Sequence, residues 1–157
     1  MNLPQASQKA RTRNGFTLPE LLLVIVISTV IFAFAVPVGL NFYRHQLVDD
    51  TSRMLVESLR RAHSSAISGK ADSAFGVRVF SASNTFVLFQ GESYAGRNTT
   101  EDEVIDFPSS ISITGSSTEV VFSKIYGTST VNETWSVSFD SITSNISINS
   151  QGLVELE

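Results

Sequence analysis

From Leu21 to Val36 the chain runs sixteen residues without a charge, with Ser28 and Thr29 as its only polar members. Such a run needs lipid, a protein interior, or removal as the core of a signal peptide. Extended to Phe16–Leu40 it covers twenty-five residues, roughly 37 Å of helix at about 1.5 Å per residue, against a hydrocarbon core about 30 Å thick. The length therefore permits a membrane span. Upstream, Lys9, Arg11 and Arg13 are the only charges before Gly15, and the positive-inside rule then predicts a cytoplasmic N-terminus with the remainder facing outwards. Pro19 falls in the first helical turn, where its missing N–H costs nothing. Pro37, near the far end, removes a backbone hydrogen bond and predicts a kink, with Gly39 adding looseness.

One carboxylate interrupts the apolar character, Glu20 at the start of the run. A carboxylate in a membrane helix costs up to about 3 kcal/mol near the bilayer centre and less near the interface, so its presence implies a partner.

The rest of the chain is acidic and short. All fifteen acidic residues follow Gly15, with eight of the eleven basic ones, so a chain cut there carries a net charge of −7. That balance argues against contact with nucleic acid. The absence of cysteine excludes a disulfide framework and every thiolate metal site.

Beyond Pro37 the apolar pattern becomes one-sided. Phe42, Leu47 or Val48, Thr51, Leu55, Leu59, Ala62 and Ala66 recur at steps of three and four, while Arg44, Asp49, Asp50, Arg53, Glu57, Arg60 and Arg61 fill the other side. This predicts an amphipathic helix over 41–69, ending near Gly69. After it come short alternating segments: Val77–Phe80, Thr85–Phe89, Ile111–Ile113, Val120–Phe122, Trp135–Phe139, Ile146–Ile148 and Leu153–Leu156. They predict antiparallel strands, separated by turns at Ser83-Asn84, Gly115-Ser116, Gly127 and Gly152. Gly91–Glu103 predicts a mobile surface loop. About ninety residues of strand bury little core unaided, so the amphipathic helix is the expected cover for one sheet face.

Catalytic patterns are missing. His45 and His63 lie five helical turns apart, too far to share a ligand, and read as solvated or half-buried side chains. No serine sits in a nucleophile elbow and no glycine-rich phosphate loop follows a strand. Glu92, Glu101, Asp102, Glu103 and Asp106 lack the spacing of a calcium loop and read as a solvated acidic stretch. No enzyme activity, cofactor or metal site is expected.

The basic leader, Gly15, Phe16, Glu20 and the apolar sequel together resemble the signal of type IV pilins and type II secretion pseudopilins. The resemblance implies that prepilin peptidase cuts between Gly15 and Phe16, removing a cytoplasmic leader 1–15, and N-methylates Phe16. It implies that Glu20 pairs with the Phe16 amine of a neighbouring subunit, making both assembly residues. Pro19 departs from the large aliphatic residue usual at its position. A second segment, Leu55–Ile67, is similar to the helix of H-type minor pseudopilins and related tip minor pilins.

The fold class expected is α+β, a pilin fold. A transmembrane and assembly helix (16–40) continues as the amphipathic helix (41–69), which packs on an antiparallel β-rich extracytoplasmic domain (70–157). The resemblance further implies a structural subunit, spanning the bacterial inner membrane once with its domain in the periplasm, that helps initiate or cap a fibre. Its partners would be other pilins through the N-terminal helix, prepilin peptidase and the assembly-platform membrane protein. Two other readings are a major fibre subunit, and a secreted β-rich binding protein released by an ordinary signal peptidase at the small-x-small site Ala33-Phe34-Ala35.

Overall fold

The computed structural model describes residues 15–157, the side chain of Pro37 excepted. Leader residues 1–14 lie outside the described residues, and so does the side chain of Pro37, on which the expected kink falls. Helix α1 covers Leu18–Ile67, fifty residues that include Pro37. The chain divides after Leu40 into an N-terminal unit and a domain, Asn41–Glu157. In the N-terminal unit the described apolar side chains of α1 are all in contact with solvent: Leu23 is 61% exposed, Ile31 61% and Phe34 74%. This is a helix long and apolar enough to cross a membrane.

Within the domain, the remainder of α1 buries one stripe. Val48, Thr51, Ser52, Leu55, Val56, Leu59, Ala62 and Ala66 are buried, at the three- and four-residue steps of a single helix face. Two buried serine hydroxyls are satisfied locally, Ser52 Oγ donating to the Val48 carbonyl at 2.7 Å and Ser58 Oγ to the Met54 carbonyl at 2.9 Å. Phe42, expected on this face, is instead 71% exposed, because the packed stripe begins only at Val48. Left-handed Gly69 (φ 64) follows the helix, and a 3₁₀ turn, Lys70–Asp72, leads into the strands.

Eight strands follow: β1 Phe75–Phe80, β2 Thr85–Gln90, β3 Asn98–Asp106, β4 Ser112–Thr114, β5 Glu119–Phe122, β6 Glu133–Phe139, β7 Ile142–Ile148 and β8 Val154–Leu156. They form two antiparallel four-stranded sheets, ordered β3-β2-β1-β5 and β4-β6-β7-β8. Strand alternation supplies the core: Phe75, Val77 and Val79 of β1, Trp135 and Val137 of β6, and Ile146 and Ile148 of β7 join Leu55, Leu59, Ala62 and Ala66 in one buried cluster.

The first sheet also buries part of its outer face. Ala74, Val87, Phe89 and Val121 form a second cluster there, with Phe80 and Tyr94 packed on it. Gly76 makes room for it, since a Cβ would stand 2.6 Å from both the Phe89 ring and the Val120 carbonyl oxygen. Tyr94 lies in the connection expected to be mobile. Its ring meets Phe80 and Phe89 edge-on at 5.0 and 5.5 Å, and Arg97 and Arg78 lie over it at 3.5 and 4.9 Å. Arg97 Nε in turn reaches Asp102 at 2.7 Å. The stretch expected to be a loop is thus pinned by an aromatic anchor, and its second part is strand β3. Acidic side chains suit that strand because it is a sheet edge, where charge blocks further pairing.

Two adjacent arginines of α1 reach both sheets. Arg60 Nη2 donates to the Val154 carbonyl on β8 at 2.9 Å, and Arg61 makes a two-pronged contact with Glu103 on β3 at 2.7 and 2.8 Å. The Glu103 carboxylate, by hydrogen bond first and by charge second, raises the Arg61 guanidinium above its ordinary value.

Candidate assembly site

The site begins at Gly15-Phe16, which precede α1 and are exposed, Phe16 at 82%. Thr17 stands at the N-cap of α1, and the first helical bond runs from the Leu21 N–H to its carbonyl at 3.1 Å. Thr17-Leu18-Pro19-Glu20 has the spacing of a capping box, and half of one is formed: the Thr17 N–H donates to Glu20 Oε2 at 3.4 Å. Pro19 sits at the second helical position, where no intrahelical donor is needed. Glu20 is also the acid of the first turn, favourably placed at the positive end of the helix dipole.

The geometry therefore brings Gly15, Phe16 and Glu20 together at an exposed helix start. The capping role of Glu20 is an addition to the pairing read from the sequence. The T-x-x-E spacing carries the signal for it.

The other acidic candidates do not converge. Asp102 faces Arg97 and Glu103 faces Arg61. Among the described residues no group of three or more His, Cys, Asp or Glu side chains is placed to hold a metal ion. His45 is exposed. His63 is half-buried and packs edge-on against Phe122 with ring centroids 5.2 Å apart. Two left-handed glycines crowd it: a Cβ on Gly127 (φ 66) or Gly152 (φ 81) would stand 2.7 Å from His63 Nε2. The histidine is a packing residue whose neighbours must lack side chains, a role that neither the histidine nor the turn glycines announce in sequence.

Residues 10–36, which contain Gly15, Phe16 and Glu20, match the model of the prokaryotic N-terminal methylation motif. This motif stands ahead of a long helix and an antiparallel β-domain, the arrangement of a pilin fold. The fold is similar to that of the minor pseudopilin EpsH from the type 2 secretion system of Vibrio cholerae, with a TM-score of 0.55 and 12% identity over 71% of this chain and 96% of that one. The likeness is one of fold. No curated protein sequence matches the chain.

Proposed function

We propose that this chain is a minor pilin or pseudopilin that helps to initiate or cap a short helical fibre. The carrying observation is the Gly15-Phe16 junction, exposed and followed by a helix-capping carboxylate and an uncharged span, inside a methylation motif. Prepilin peptidase cuts there on the cytoplasmic side and methylates Phe16. The subunit then waits in the inner membrane, spanning it once, its domain in the periplasm, until the platform protein moves it into the fibre.

Glu20 makes that transfer selective. In lipid its charge is costly, whereas beside another subunit's Phe16 amine it meets an opposite charge, favouring one axial register over its neighbours. Pro37 removes one backbone hydrogen bond and kinks the far end of the span. The minor role is supported by the similarity to EpsH and by the resemblance of Leu55–Ile67 to minor-pseudopilin helices.

Recovery of an epitope-labelled full chain from sheared fibres tests this reading. The chain should appear there well below the amount of the principal subunit, and its deletion should reduce the number of fibres. Recovery as the principal subunit, or free in the medium with intact fibres, contradicts it.

A further inference from the structure

The β5–β6 connection holds a β-branched residue in a strained backbone and leaves it in solvent. Ile125 has φ 69, and the Tyr126 N–H donates to the Lys124 carbonyl at 2.8 Å, so Lys124–Tyr126 is a γ-turn of the rare, positive-φ hand. A β-branched residue there is an outlier, held only when its surroundings fix it. Here they do. The Ile125 N–H donates to the Ala66 carbonyl at the end of α1, the Gly127 N–H to Ser123, and Ser123 pairs with Thr128 through both backbone and hydroxyl.

The cost of this rigid backbone is not offset by burial. Ile125 is 59% exposed, Tyr126 80%, and Ile67, whose side chain borders Gly127, 47%. The flanking Lys124 is already paired with Asp72. What remains is an uncharged aliphatic and aromatic knob, fixed in shape and without a partner in the domain.

We infer that this knob docks on the apolar N-terminal helix of a different pilin-like subunit, an inference that rests on the fibre role proposed above. The chemistry matches: a helix of this class, as Leu21–Leu40 exemplifies, offers an uncharged exposed surface and no ion-pair partners. Knob and helix are unlike surfaces, so docking onto a second copy would repeat head-to-tail into an open filament. A subunit that starts or caps a fibre meets other chains instead.

Incorporating photoreactive p-benzoylphenylalanine at position 126 of the full chain, in cells that make its peptidase and companion subunits, tests the docking. Peptides joined on irradiation should map to the apolar segment behind the cleavage glycine of a different chain. Joining to this chain's own helix or to a globular domain, or no joining at all, overturns the inference. Intact mass of the same sample separates the failures: a processed chain without the expected product sinks the docking alone, and an unprocessed one sinks the fibre role with it. Ile125→Asn supplies a second readout, since asparagine is found at positive φ far more often than a β-branched residue. In the full-length protein it should unfold at an equal or higher temperature while the yield of joined product falls several-fold; a lower unfolding temperature or an unchanged yield contradicts the inference.

Discussion

Glu20 Oε2 lies 3.4 Å from the backbone nitrogen of Thr17, so this carboxylate caps its own helix. Capping and charge pairing can be separated. Glu20→Gln keeps an acceptor at the third helical position and removes the charge, whereas Glu20→Ala removes both. If pairing drives assembly, the two variants should lose fibre incorporation alike, by tenfold or so for each ~1.4 kcal/mol of lost pairing. Incorporation retained by Glu20→Gln and lost by Glu20→Ala would assign the residue to capping alone. Quantitative immunoblotting of sheared fibres reads the difference.

Gly152 combines a crowded Cβ position with a left-handed backbone. An added Cβ would meet the Gly127 carbonyl oxygen at 2.2 Å and His63 Cδ2 at 2.6 Å, on a backbone at φ 81. Gly152→Ala should cost about 2–4 kcal/mol through combined strain and overpacking. Gly96→Ala, with its nearest neighbour at an ordinary 3.5 Å, should stay within about 0.5 kcal/mol of the parent. Chemical denaturation of both variants checks the contrast, and equal effects would deny the crowding around His63.

Glu133 joins β6 to the turn before β5. Its carboxylate accepts from the Ser117 N–H at 2.8 Å, the Ser117 hydroxyl at 2.6 Å and Trp135 Nε1 at 2.6 Å. Trp135 is 1% exposed and lies against Gly115. Glu133→Ala should therefore destabilise the domain by about 1–3 kcal/mol, the cost of leaving a buried donor unsatisfied. Trp135, the chain's only tryptophan, reports the same change through a shift in fluorescence; an unaltered spectrum and stability would contradict it.

Arg60 and Arg61 should respond differently to salt. The Arg61–Glu103 pair is half exposed on both sides, so Arg61→Ala should cost under about 1 kcal/mol, less still at high ionic strength. Arg60 donates to a backbone carbonyl of β8 in a partly buried setting, and Arg60→Ala should cost about 1 kcal/mol with little salt dependence. Unfolding curves at low and high salt distinguish the two.

Periodicity made most of this fold legible. Steps of three and four from Val48 to Ala66 marked the helix face, and alternation in Trp135–Phe139 and Val77–Phe80 marked strands. The Gly15–Glu20 stretch was legible because a carboxylate, a glycine and an uncharged run are each unusual in that order. Strand β3 was not, since Glu101-Asp102-Glu103 carries the composition of a solvated loop and only the edge position of the strand reconciles it with pairing. The His63 crowding and the Tyr94 anchor depend on residues far apart in the chain, Gly127 and Gly152 in one case and Arg78 and Phe80 in the other, which no local pattern connects. Ile125 was hidden by propensity itself, because an isoleucine argues for a strand and against the turn it occupies.

Everything proposed for the fibre depends on the chemistry at Gly15-Phe16. Intact-mass measurement of the chain produced with prepilin peptidase, beside the chain produced without it, tests that junction directly. The account predicts loss of Met1–Gly15 and the gain of one methyl group on Phe16, both only with the peptidase. A chain that keeps its leader in both samples, or one shortened through Ala35, would contradict it.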